Sequence, residues 1–203
     1  MEIQSEQVRI DKETAYRLMD CRKDSPIYDE MEALYDEIWL EIKDLIKPWG
    51  RVGFASHSQI FGNQGTMKYA MVLYTLGTEI SDYIDRLFEK GEYLKATLAD
   101  AMADSCLFAM EEEWKPVLKE ECKKRKKGIA KRMEAPRDYP IKSQKEIWEI
   151  LKGYEHGVTL TSGFMFAPVK TCCFLFALSE NMEQQCIEHD CTCCPNMTCA
   201  LRK

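Results

Sequence analysis

Apolar side chains recur at three- and four-residue spacing from Ile27 through Met31, Leu34, Ile38, Ile42 and Leu45. That period is one face of a helix, so residues 27–45 are expected to form a long amphipathic helix, stopped by Pro48-Trp49-Gly50. Ahead of it, residues 6–10 read as a short strand, and Asp11 as the N-cap of a short helix ending near Asp20, with Glu13 in its first turn. Residues 51–61 and 66–76 carry strand-forming residues around Gly62-Asn63-Gln64-Gly65, which predicts an antiparallel hairpin. Helical spacing returns over 78–90, with Ile80, Ile84, Leu87 and Phe88 on one side, and over 93–127, where Pro116 is expected to kink or divide the helix. A further helix over 143–152 presents Ile147, Ile150 and Leu151 inward. Residues 157–178 are β-type, broken by Gly163 and Pro168, and end in a buried strand over 171–178. Helices that alternate with hairpin-like strands, without regular βαβ units, predict an α+β fold. The expected architecture is a twisted antiparallel sheet with surrounding helices over residues 1–180, followed by a cysteine-rich tail over 181–203.

At 203 residues, one hydrophobic core is the expectation. A composition 45% hydrophobic and 31% charged excludes a disordered or collagen-like chain. The longest apolar run, residues 172–178, is too short to span a bilayer, and Met1-Glu2-Ile3-Gln4-Ser5-Glu6 lacks the basic start and apolar stretch of a signal peptide. The expected location is therefore cytoplasmic, with no membrane partner. A net charge of -6 disfavours a nucleic-acid partner. Neither GxGxxG nor GxxxxGK[ST] occurs, so a phosphate-loop nucleotide fold is not supported.

Cysteine is the anomaly in the composition. Of ten Cys, seven lie between Cys172 and Cys199. Cys186, Cys191, Cys194 and Cys199 form a C-x4-C-x2-C-x4-C set, compact enough for four thiolates to converge on zinc or on an iron-sulfur cluster, and the spacing suits either. A reduced, unliganded tail is the alternative. Cys193 reads as a spare thiol or substitute ligand, and His189 as a bystander. Cys172-Cys173 lies in an apolar strand, where thiols pack as small hydrophobes. His57 and His156 show no partner pattern, and no Ser/His/Asp or Cys/His arrangement emerges.

Lys123, Lys124, Arg125, Lys126 and Lys127 form a basic run, followed by Lys131 and Arg132. It reads either as a solvated helix end or as a docking patch for an acidic partner or anionic group. Arg132 and Arg137 bracket Met133-Glu134-Ala135-Pro136, and guanidinium groups on such a loop suit bidentate binding of an amino-acid carboxylate.

Asp138-Tyr139-Pro140-Ile141, Gly157-Val158-Thr159-Leu160-Thr161 and Met165-x2-Pro168-x-Lys170 together resemble the C-terminal activation domain of cobalamin (vitamin B12)-dependent methionine synthase, in a free-standing form. Upstream, residues 74–80 and the helix through Ala101, Asp104 and Ala109 are similar to the same family, and the tail resembles the cysteine-rich ending of small stand-alone relatives. The resemblance implies a methyltransferase component that reactivates cobalamin by reductive methylation, with S-adenosylmethionine as methyl donor. The implied partner is a corrinoid protein or methionine synthase catalytic chain that carries cobalamin, with a flavodoxin-like reductant. By resemblance, the cofactor-binding residues are Lys131, Arg132, Tyr139, Thr161, Ser162, Met165 and Pro168; Asp138 stands where the family has Gly. A cluster on the four tail cysteines would then relay an electron to the corrinoid. The alternative function is an iron-sulfur electron-transfer or zinc-stabilised binding module that acts on a corrinoid protein without S-adenosylmethionine.

Overall fold

Every residue of β3 (Lys68–Thr75) after Lys68 is buried, because this strand runs through the middle of an antiparallel sheet covered on both faces. In the computed structural model, which describes residues 1–3, 9–192 and 194–202, the five-stranded sheet has the order β1 (Glu2–Ile3), β2 (Trp49–Ser56), β3, β7 (Thr171–Ser179), β4 (Gly128–Met133). Side chains of period two divide the interior. Ala70, Val72, Tyr74 and Phe176 face a large core beneath α1 (Lys12–Leu18), α2 (Tyr28–Ile42), α4 (Thr78–Glu89) and α5 (Tyr93–Lys124). Tyr69, Met71, Leu73 and Leu175 face a smaller core closed by α3 (His57–Phe61), α6 (Gln144–Leu151) and Tyr139. A separate two-stranded ribbon, β5 (Thr159–Leu160) with β6 (Phe166–Ala167), leads into β7.

The expected α+β class and antiparallel sheet are present, as are the helices over 11–20, 27–45, 78–90 and 143–152, to within a few residues. Asp11 caps α1, accepting from the Glu13 amide at 3.1 Å. Pro116 does not divide α5, which runs through it for 32 residues. A proline removes one backbone bond, but Trp114 and Leu118 on either side are fully buried and hold the helix to the sheet. The Trp114 ring lies 5.7 to 6.2 Å from those of Phe176, Phe174 and Tyr74.

Two further expectations need correction, and a third falls largely outside the described residues. The predicted hairpin exists, but its strands stop at Ser56 and resume at Lys68. Between them lies α3, opened by a Ser56/Gln59 capping box and closed by Gly62 at φ +71°. Arg132 is not on a loop: residues 128–133 form the edge strand β4, which the density of cations disguised. The strand expected over 6–10 falls largely on residues 6–8, outside the described residues, and Arg9 and Ile10 are not in a strand.

The start of the cysteine-rich tail is packed on the body. The Ile129 amide donates to the Gln184 carbonyl at 2.7 Å and the Cys186 amide to the Ile129 carbonyl at 2.9 Å, so the tail runs beside β4 and covers its free edge. Ile187 is buried in the large core. Gly128 permits this approach, since a Cβ there would stand 2.0 Å from the Asn181 carbonyl oxygen. Among the described residues no helix is long and apolar enough to cross a membrane.

Candidate functional site

The geometry around residues 131–139 starts from a defect in β4. Ile129 pairs with Leu178, but Lys131 pairs with Ala177, so one extra residue is inserted at Ala130. Such a bulge reverses the alternation beyond it. Ile129 and Arg132 therefore face the large core, while Lys131 is turned to the other side.

Arg132 is buried, its side chain 7% exposed. Its Nη1 and Nη2 donate to the two carboxylate oxygens of Glu111 on α5 at 3.1 Å each, and its Nε donates to Glu134 Oε1 at 2.9 Å. The guanidinium carbon lies 3.8 Å from the centre of the Phe174 ring. Burial works against this charge, yet Glu111 and Glu134 outweigh it and hold the pKa above the ordinary arginine value. The same Glu134 oxygen meets His189 Nδ1 at 3.0 Å, and Glu188 bonds to Lys115 of α5 at 2.8 Å, so the tail continues this ionic cluster.

On the opposite side, Asp138 gathers the loop. It accepts from Lys131 Nζ at 2.6 Å, from Arg137 Nη2 at 2.9 Å and from the Glu134 amide at 3.0 Å, while its own amide donates to the Glu134 carbonyl at 2.8 Å. Burial raises the cost of charging this carboxyl, but the bonds from Lys131, the Glu134 amide and Arg137 prevail and hold its pKa at about 2. A depressed carboxyl pKa stabilises the fold above its unfolded value and loses that contribution as pH falls through the folded one. Asp138 is therefore expected to contribute about 1 to 2 kcal/mol at neutral pH, after allowance for solvent around Lys131. Acid titration of Asp138→Asn beside the parent should show the two stability curves converging between about pH 4 and pH 2.

The remaining expected residues are spread over two places. Tyr139 is only 4% exposed, its ring packed in the smaller core against Phe61 at 6.5 Å, and burial raises its pKa. Thr161, Ser162 and Met165 form the tip of the β5–β6 ribbon. There the Thr161 hydroxyl accepts from the Met165 amide at 3.1 Å, and Met165 itself is 57% exposed. Phe166 leans on the smaller core and Pro168 is buried. Behind it, buried Lys170 bonds to Asp100 and Asp104 of α5 at 2.7 Å each, joining two segments that sequence reasoning singled out separately. The structure thus brings Lys131, Arg137 and Asp138 together and places Arg132 apart from them. Among the described residues no hydrogen bond joins the ribbon tip to residues 131–139.

Sequence reasoning missed Glu111, Glu134 and Glu188 as partners of the cations. The i,i+4 spacing of Glu111 and Lys115, bridged at 3.5 Å, and the two-residue separation of Arg132 and Glu134 were the local signals.

Burial pushes the Cys172 thiol up to about 11 and raises that of Cys173 further, as packed rather than reactive thiols require. In the tail, Cys186, Cys191, Cys194 and Cys199 are free thiols. The expected convergence of these four on zinc or an iron-sulfur cluster is not found: among the described residues no three His, Cys, Asp or Glu side chains are placed to hold a metal ion. The chain there is engaged otherwise. Arg202 donates to the Cys194 carbonyl at 3.3 Å, the Cys199 sulfur accepts from the Leu201 amide at 3.4 Å, and Arg17 donates to the Ala200 carbonyl at 2.6 Å. Cys193 lies outside the described residues.

No protein-family profile matches the chain, and no curated protein matches its sequence. Among solved structures it is similar to the MetH reactivation domain bound to AdoHcy, with a TM-score of 0.56 and 14% identity, over 76% of this chain and 67% of that one. The chain shares the fold of the MetH reactivation domain. At this identity the likeness is one of architecture. In this reactivation-domain fold, the loop that carries Tyr139 and the β5–β6 ribbon both rest on the smaller core. The ionic cluster of Arg132 rests on the helical face.

Proposed function

We propose that this chain is a reactivation component that presents S-adenosylmethionine to a corrinoid protein or to a methionine synthase catalytic chain carrying cobalamin. The observation that carries this reading is the fold shared with a domain solved with AdoHcy bound, in a chain that also resembles that family at residues 138–141, 157–161 and 165–170. When bound, S-adenosylmethionine supplies a methyl group on a positively charged sulfonium beside an amino-acid carboxylate.

The chain's own residues hold and orient this ligand, and none is asked to move a proton. Lys131, 59% exposed, and Arg137, 31% exposed, are the cations on the outer side of the loop, and both are oriented by Asp138. They are more exposed than Arg132, whose guanidinium is engaged by Glu111 and Glu134 beneath the sheet edge. Tyr139 anchors the loop from beneath, and Thr161 fixes the turn that exposes Met165 and Ser162. A flavodoxin-like reductant belongs to this proposal as the electron source.

Isothermal titration with S-adenosylmethionine and S-adenosylhomocysteine tests the reading. Both are expected to bind. Because a charge-assisted bond is worth about 1.5 to 3 kcal/mol, Lys131→Ala and Arg137→Ala should each weaken binding by about tenfold to a hundredfold. The engagement of Arg132 by Glu111 and Glu134 and the burial of Tyr139 favour a second reading, a module that docks on a corrinoid protein without a methyl donor. Absence of heat with either ligand would select it.

A further inference from the structure

The basic run turns out to have a destination. At the end of the sheet distant from Lys170, a hollow of about 490 Å³ opens between β2, β3 and the C-terminal end of α5. Arg125 and Lys127 of the run line it, and so does Lys68, the one exposed residue of β3. Cations near the end of α5 are accounted for by its dipole. That account does not reach Lys68, which belongs to another element and faces the same space.

We propose that this hollow binds a small phosphomonoester of nucleotide size. Three cations from two separate segments suit a dianion with three terminal oxygens better than a carboxylate with two. Gln59 adds a neutral donor. Its Oε1 accepts from the Ser56 amide at 2.8 Å and the Ser56 hydroxyl at 2.9 Å, so its amide nitrogen is the atom turned away from Ser56. The floor is apolar, formed by the partly exposed Phe54 and Leu178. The Arg125 guanidinium carbon lies 3.9 Å from the centre of the Phe54 ring, so a planar cation and an aromatic ring both line the hollow where a base would lie.

The resident carboxylates do not block the site equally. Glu121 is buried against Arg125 at 2.5 Å and is part of the helix end. Glu180, the partner of Lys127, is 87% exposed, and its charge is also felt by Lys68. An incoming phosphate displaces Glu180 and takes over both lysines. The volume is within the range of small-ligand pockets and is sufficient for a mononucleotide.

Titration calorimetry at low salt with AMP, adenosine and inorganic phosphate tests this on the whole chain. AMP is expected to bind at least about tenfold more tightly than adenosine or phosphate, because each probe lacks half of the recognised groups. Lys68→Gln, at the surface, combined with Lys127→Gln, whose side chain is 17% exposed, should weaken AMP by about tenfold or more, and Glu180→Gln should tighten it by a few fold. Lys131→Ala should leave AMP binding unchanged, which separates this hollow from the loop proposed for S-adenosylmethionine. No AMP binding at millimolar concentration, equal binding of adenosine or phosphate, or unchanged affinity in the double variant overturns the proposal.

Discussion

Replacing Arg132 by alanine is expected to destabilise the protein by about 3 kcal/mol, since it removes the cation shared by the half-buried Glu111 and Glu134 and leaves them only Lys115 and His189. The loss comes from the unpaired charges rather than from the ion pair itself. A double change of Arg132→Met with Glu111→Leu should therefore recover most of it, because a well-packed apolar pair replaces the buried charges at little cost. Urea denaturation of the parent, Arg132→Ala and the double variant checks this. Failure of the double variant to recover stability would mean that packing against Phe174, not charge, is what Arg132 contributes.

Trp114→Ala is expected to cost a similar amount, about 3 to 5 kcal/mol, from lost burial and the cavity left behind. The indole is fully buried at the junction of α5 with β3 and β7, in ring contact with Tyr74, Phe174 and Phe176. For a chain of this length the melting temperature should fall by on the order of 10 °C. Trp114→Phe is the informative companion. The Trp114 Nε1 has no hydrogen-bond partner among the described residues, so removing that N–H relieves a buried unpaired donor and offsets part of the smaller volume. Calorimetry should place Trp114→Phe much nearer the parent than Trp114→Ala. Equal melting temperatures for the two would show that the site collapses around either residue.

The candidate site was legible only in part. Cations at Lys131 and Arg137 and a loop ending in Asp138-Tyr139-Pro140 could be read from the residues, and they do lie together. The role of Arg132 could not, because its face depends on one inserted residue at Ala130, and a bulge leaves no mark on composition or period. Tyr139 has the polar tip of a site residue, yet its ring is in the smaller core. Cysteine spacing states only what the tail can reach, and its placement follows from contacts elsewhere. The tail's Ile187 is drawn into the large core, and Gln184 and Cys186 are drawn to the edge of β4.

By itself the sequence determined the helices of 28–42, 78–89 and 144–151, the Asp11 cap and the central strands, and through them the α+β class. These follow from side-chain periodicity and capping within a few residues of each position, which are local interactions. Tertiary structure alone decided which of two adjacent cations is buried, that Glu111 receives Arg132 from 21 residues away, that Lys68 and Lys127 share one hollow, and that the tail closes the sheet edge. Each of these is set by strand register and by the approach of elements distant in the chain, where pairing energies depend on geometry that no local pattern encodes.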